Sequence, residues 1–154
     1  MRARCVLWCF IGLLGCGSKG AVSLTADIGQ GSLVVKESPF GSASLTGSFE
    51  LHLALGPEAS GSTSVTLGNF SLQSATGAAL VEILHPDVDA DFPLVIEKGA
   101  SKTVIFTLNK GDSVERDQAC PGPVRIVGSV MDSLKGGTDP VSSPLITPDC
   151  RPAT

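Results

Sequence analysis

From Ser44 to Leu55 the apolar residues Leu45, Phe49, Leu51, Leu53 and Leu55 alternate with Thr46, Ser48, Glu50 and His52. Successive side chains of an extended chain point to opposite faces, so this spacing makes one apolar face and one hydrated face. A helix of the same residues would scatter the apolar groups around its circumference. The device recurs from Lys102 to Asn109, with Val104, Phe106 and Leu108 inward and Thr103 and Thr107 outward. It recurs again with Val124, Ile126 and Val130 opposite Arg125, Ser129 and Met131. From Thr63 to Leu72 the phase begins with Val65 and Leu67 and changes parity to Phe70 and Leu72 across Gly68-Asn69, as an inserted bulge residue requires.

Shorter strands are predicted at Val22 to Ile28, Ser32 to Lys36, Ala79 to Leu84, Leu94 to Lys98 and Leu145 to Thr147. Gly29-Gln30-Gly31, Gly56-Pro57 through Gly61, Ala75 to Gly77, Glu97 to Ala100 and Cys120 to Pro123 supply the Gly and Pro punctuation of turns. About eight short strands without a helix of any length predict an all-β chain: an antiparallel two-sheet β-sandwich, immunoglobulin-like or a related Greek key. A closed barrel satisfies the same pattern. Pro93 to Leu108, with Glu97-Lys98-Gly99-Ala100-Ser101-Lys102 before Val104-Ile105-Phe106-Thr107, resembles the strand–turn–strand unit of bacterial immunoglobulin-like modules, over barely one hairpin.

Ahead of this β region, Arg2 and Arg4 precede an apolar run from Cys5 to Leu14 and the small-residue stretch Gly15-Cys16-Gly17-Ser18. These are the three parts of an export signal. The run is too short for a membrane span, which needs about 20 apolar residues, and it is broken by Gly12, Gly15 and Gly17 with Lys19 behind. Leu13-Leu14-Gly15-Cys16 resembles the lipobox of bacterial lipoproteins, although Leu14 is bulkier than the small residue often seen there. The resemblance implies that the Cys16 thiol is joined to diacylglycerol, that the chain is cut just before Cys16, and that the new amino group is acylated. A secretory signal with an incidental cysteine is the alternative reading. The expected organisation is a signal at 1–15, the lipidated cysteine and a short tether at 16–21, a β-sandwich at 22–150 and a tail at 151–154. By resemblance to the sorting rules of Gram-negative lipoproteins, Gly17 in place of Asp implies an outer-membrane address, at the periplasmic face or the cell surface. The tether reaches only about 20 Å when extended, which holds the domain beside the bilayer.

Removing the signal leaves nine basic side chains against 15 acidic ones, a net charge of −6. This acidity excludes nucleic acid as an expected partner and disfavours anionic headgroups. The partners expected are the membrane, through the lipid, and an envelope protein; no small-molecule substrate is evident. Cys5 and Cys9 leave with the signal and Cys16 is consumed by lipid, so Cys120 and Cys150 remain as a pair in a compartment that permits disulfides. Such a loop contributes about 3–4 kcal/mol in the chain-entropy model. Metal ligation by the same thiols would need partners at finger-like spacing, and the chain offers only His52 and His85.

Candidate chemistry is sparse. Asp87, Asp89 and Asp91 stand at alternate positions after His85-Pro86 and could converge on calcium if the loop curls. They are not an EF-hand, because Phe92 occupies the sixth position, where Gly is needed, and Lys98 the twelfth, where Glu is needed. An extended segment would instead leave the three carboxylates hydrated on one face. His52 is expected to face solvent beside Glu50, and His85 to sit extended at a loop edge before Pro86. Glu50 and Glu82 have no spacing that marks a glycosidase pair, and two distant histidines give no serine-hydrolase constellation. The chain has no Tyr, and its one Trp, Trp8, lies in the signal; the remaining aromatics are Phe40, Phe49, Phe70, Phe92 and Phe106. That depletion disfavours sugar platforms and aromatic-anchored interfaces. Phe49, Phe70 and Phe106 fall on inward positions, leaving Phe40 and Phe92 as candidates for exposed anchors. The function expected is a lipid-anchored, non-catalytic structural or protein-interaction sandwich; the alternative is a calcium-dependent adhesion or ligand-binding module at Asp87, Asp89 and Asp91.

Overall fold

The computed structural model describes residues 23–38 and 42–153. The signal, Cys16, the tether and Phe40 lie outside the described residues. Eleven strands and one helical turn follow in order: β1 (Leu24–Glu37), β2 (Ala43–Leu55), β3 (Thr63–Leu67), β4 (Ser71–Ser74), β5 (Ala79–Val81), β6 (Asp87–Val88), β7 (Leu94–Ile96), β8 (Ser101–Val114), α1 (Arg116–Ala119), β9 (Val124–Asp132), β10 (Thr138–Ser142) and β11 (Asp149–Arg151). They form two open sheets, so the chain is an all-β sandwich and the closed barrel is excluded. One sheet runs β11-β1-β2-β8-β6. In the other, β9 pairs β10 on one side and both β3 and β4 on the other, and these carry β7 and β5. Every pairing is antiparallel except β1 with β11.

The alternating residues do what their spacing dictates. Leu45, Phe49, Leu51, Leu53 and Leu55 of β2, Val104, Phe106 and Leu108 of β8, and Val124, Ile126 and Val130 of β9 are all buried. The parity change after Leu67 is a bulge: Leu67 faces Val130 and Ser71 faces Val127, so three residues oppose two on β9. Gly68 still donates its N–H to the Ser129 carbonyl at 2.8 Å, and Val65, Phe70 and Leu72 all point inward. Phe70 reaches the centre by lying over Gly128, where an added Cβ would stand 2.3 Å from the ring. There it meets Phe49 edge-on at 5.3 Å between ring centroids and Phe106 at 5.1 Å, while Phe49 and Phe106 stack at 4.8 Å. This three-ring cluster joins the two sheets at the middle of the core.

Four local expectations need correction. Gly29-Gln30-Gly31 is not a turn: Ile28 faces Leu51 and Gly31 faces Phe49, so Gly29 and Gln30 form a bulge inside one fourteen-residue strand. The strands flanking Glu97 to Ala100 do not make a hairpin, because β7 pairs β3 and β8 pairs β2 in the opposite sheet. The turn, closed by the Ala100 N–H on the Glu97 carbonyl at 2.9 Å, is a corner between layers. One helical turn is present, α1, and its C-cap residue is Cys120. The strand predicted at Leu145 to Thr147 is only an isolated bridge of Ile146 with Val124, and the Gly- and Pro-rich run after Asp132 supplies β10 and β11 on either side of it.

The two ends of the sandwich differ. Leu24 pairs with Leu55, the Leu55 N–H meets the Ala100 carbonyl at 2.9 Å, and Ser133 donates its N–H to the Ser64 carbonyl at 3.0 Å. One end therefore gathers the start of β1, the 56–62 connection, the 97–100 corner and the 133–137 turn. Buried Asp132 organises that turn, its Oδ1 accepting from the Leu134 and Lys135 N–H groups at 2.8 and 2.9 Å and from the Thr63 hydroxyl at 3.1 Å. The other end holds Glu37 paired with Ala43, Ala43 paired with Val114, the 75–78 turn, α1 and Pro121-Gly122-Pro123. Cys120 and Cys150 are bonded there, Cα atoms 6.1 Å apart, as the pair expected from the sequence. The bridge ties α1 to β11, which lies along β1 through Val34, Val35 and Lys36.

Candidate functional site

The three aspartates after Pro86 leave a sheet edge rather than a curled loop. Asp87 belongs to β6 and its carboxylate meets Lys110 Nζ at 2.9 Å. Asp89 lies just beyond β6; its N–H donates to the Ile105 carbonyl at 3.2 Å and its Oδ1 accepts the Ile105 N–H at 2.9 Å. The side chain thus replaces the next strand residue as an acceptor and ends the ladder, one of the ways an edge is protected from further pairing. Asp91 is exposed. Among the described residues, no group of three or more His, Cys, Asp or Glu side chains is placed to hold a metal ion. Two of the three carboxylates are already engaged, by an ammonium and by a strand amide. Asp89→Ala is expected to cost about 1 kcal/mol by removing this hydrogen bond, while Asp89→Asn keeps the acceptor and most of the stability; urea denaturation of the two variants reads the difference.

Both histidines have partners. His52 lies on the outer face of β2, with Nδ1 3.1 Å from the Thr103 hydroxyl and Nε2 3.5 Å from Glu50. Its ring occupies the place of a side chain at the β1 bulge, since a Cβ on Gly29 would stand 2.4 Å from Nε2. His85 donates its backbone N–H to Asp112 Oδ2 at 3.1 Å, and its Nδ1 meets Asp112 Oδ1 at 2.8 Å. A carboxylate oxygen only accepts, so in this contact Nδ1 is the donor, on a side chain that is 63% exposed. No local pattern announces this pair, because Asp112 is 27 residues away and beside the irregular pairing of β8 with β2.

Three surface recesses lie apart from these pairs. One recess of about 240 Å³ lies between the β1 bulge and Pro144 to Thr147. A second, of about 230 Å³, lies between the 74–76 turn and Pro121 to Pro123, and a third, of about 280 Å³, lies beside the 133–137 turn. All three are smaller than the usual small-molecule site of about 300–1,000 Å³, and none is lined by His52, His85, Asp87, Asp89 or Asp91. Glu50 serves His52, and Glu82 is exposed beyond β5. Of the two phenylalanines expected at the surface, Phe92 instead packs partly buried against the core. Among the described residues no helix is long and apolar enough to cross a membrane. Comparison with family models, with curated proteins and with solved structures finds no match for the chain.

Proposed function

We propose that this chain is a bacterial envelope lipoprotein, held in the outer membrane through Cys16, whose sandwich is a non-catalytic structural or protein-interaction module. The observation that carries this reading is the leader ending in Leu13-Leu14-Gly15-Cys16, placed only eight residues before the first strand of a disulfide-bonded domain. Disulfides persist in exported proteins and are rare in reducing compartments, so the Cys120–Cys150 bridge supports export. Two or three acyl chains, at about 0.8 kcal/mol for each buried methylene, make an anchor that needs no basic patch. This suits a mature chain with a net charge of −6.

Short edges support an interaction role in which the faces or ends, rather than added strands, meet a partner. β6 has two residues and β11 three, Pro140 lies within β10 and has no N–H to offer a further strand, and Asp89 closes the Ile105 amide. The test is Cys16→Ser in a Gram-negative host. The wild-type chain is expected to incorporate labelled fatty acid and fractionate with the outer membrane, and the variant to lose both properties. A variant that remains in the outer membrane without lipid would refute the anchor.

A further inference from the structure

The fold specifies how such an anchored domain stands on the bilayer, an inference that rests on lipidation at Cys16. Cys16 and Leu24 are eight residues apart, at most about 28 Å at roughly 3.5 Å per step. β1 itself is 14 residues long, about 43 Å from end to end at about 3.3 Å per step. The end bearing the disulfide and α1 is therefore beyond the reach of the tether, while the end where β1 starts is always within it. We propose that this near end seats on the lipid surface, with the 133–137 turn inserted at the headgroup level and the disulfide-bonded end presented away from the membrane.

Side chains at the near end agree independently of the tether. Leu134, at the tip of the turn, is 41% exposed, and Val95 on β7 is 49% exposed. Lys135 beside Leu134, Lys98 at the 97–100 corner and Lys102 at the start of β8 are exposed. These three lysines stand against Glu58, Glu97, Asp139 and the buried Asp132, with Lys135 pairing Asp139, so the near end is close to neutral. The acidic excess lies on the side of the sandwich: Asp27 and Glu50 are on the outer face of the β1–β2–β8 sheet and Asp87, Asp89 and Asp91 at its β6 edge, whereas the carboxylates of the far end stand beside cations, Arg116 with Glu37 and Arg151 with Asp149. Laying the domain on that face would press carboxylates against headgroup phosphates, an arrangement the end-on pose avoids.

Because the mature chain contains neither Trp nor Tyr, a single introduced Trp reports its own depth. The experiment uses three full-length variants, Leu134→Trp, Ile105→Trp on the outer face and Thr76→Trp at the far end, each at an exposed position. Each is purified in its lipidated form, confirmed by mass, and reconstituted in vesicles of phosphatidylethanolamine and phosphatidylglycerol with a fraction of bromine-labelled acyl chains. The indole at position 134 is expected to shift to the blue and lose most of its intensity, and those at 105 and 76 to keep theirs. Quenching at 105 would overturn the end-on pose in favour of a side-on one. Quenching at 76, or at none of the three in vesicle-bound protein, would overturn it as well. A chain whose mass shows no lipid fails earlier, at the anchor itself, and removes the pose with it.

Discussion

Replacing Phe49 with Ala is expected to lower the unfolding free energy by about 3–5 kcal/mol, the range for deleting a fully buried aromatic. Phe49 is 1% exposed, stacked on Phe106 and edge-on to Phe70. Phe49 and Phe106 come from one sheet and Phe70 from the other, so the cavity opens where the two layers are joined. For a domain whose whole stability is of order 5–15 kcal/mol, this is a large share. Phe49→Leu refills most of the volume and should cost less than half as much, the remainder reflecting lost ring contacts. Phe92→Ala, at a partly buried position, should cost less than Phe49→Ala. Chemical denaturation followed by far-ultraviolet circular dichroism measures all three, since the core contains no Trp for fluorescence. Equal losses at Phe49 and Phe92 would mean that the ring cluster is not the centre of the core.

Opening the Cys120–Cys150 bridge, by reduction or as Cys120→Ala with Cys150→Ala, is expected to cost about 3–4 kcal/mol, the chain-entropy value for a loop of this size. The bond spans 30 residues, and a local effect should accompany the global one. β11 has three residues and pairs with Val34, Val35 and Lys36, too short a ladder to stay closed alone. Amide exchange should therefore accelerate along β11 at denaturant concentrations where β2 and β8 remain protected. Uniform acceleration across all strands would show that the bridge holds the whole sandwich rather than its C-terminal strand.

The layers of this fold were legible because alternation is a local signal that burial makes obligatory. Leu45 to Leu55 and Val104 to Leu108 declared their inner faces, and the parity slip at Gly68-Asn69 declared a bulge. The same glycine signal misled at Gly29-Gln30-Gly31, where a bulge and a turn begin with the same residues and only the partner strand distinguishes them. At Glu97 to Ala100 the turn was readable but its destination was not, because its hydrogen bond is the same whether the next strand pairs back or crosses to the other sheet. β10 and β11 carry no such alternation, because Gly, Pro, Ser and Thr dominate the run after Asp132, and β11 is held by a distant cysteine and a parallel partner. The candidate site divides along the same line. The cysteine pair followed from counting, whereas the tasks of Asp89 and Asp112, capping the Ile105 amide and orienting His85, depend on contacts across 16 and 27 residues.

The most direct test of a lipid-anchored sandwich is the mass of the mature N-terminal peptide from protein expressed in a bacterial envelope. The expected peptide begins at Cys16 and carries a diacylglyceryl group on the thiol with an acyl chain on the amino group. An unmodified terminus, upstream or downstream of Cys16, would contradict it.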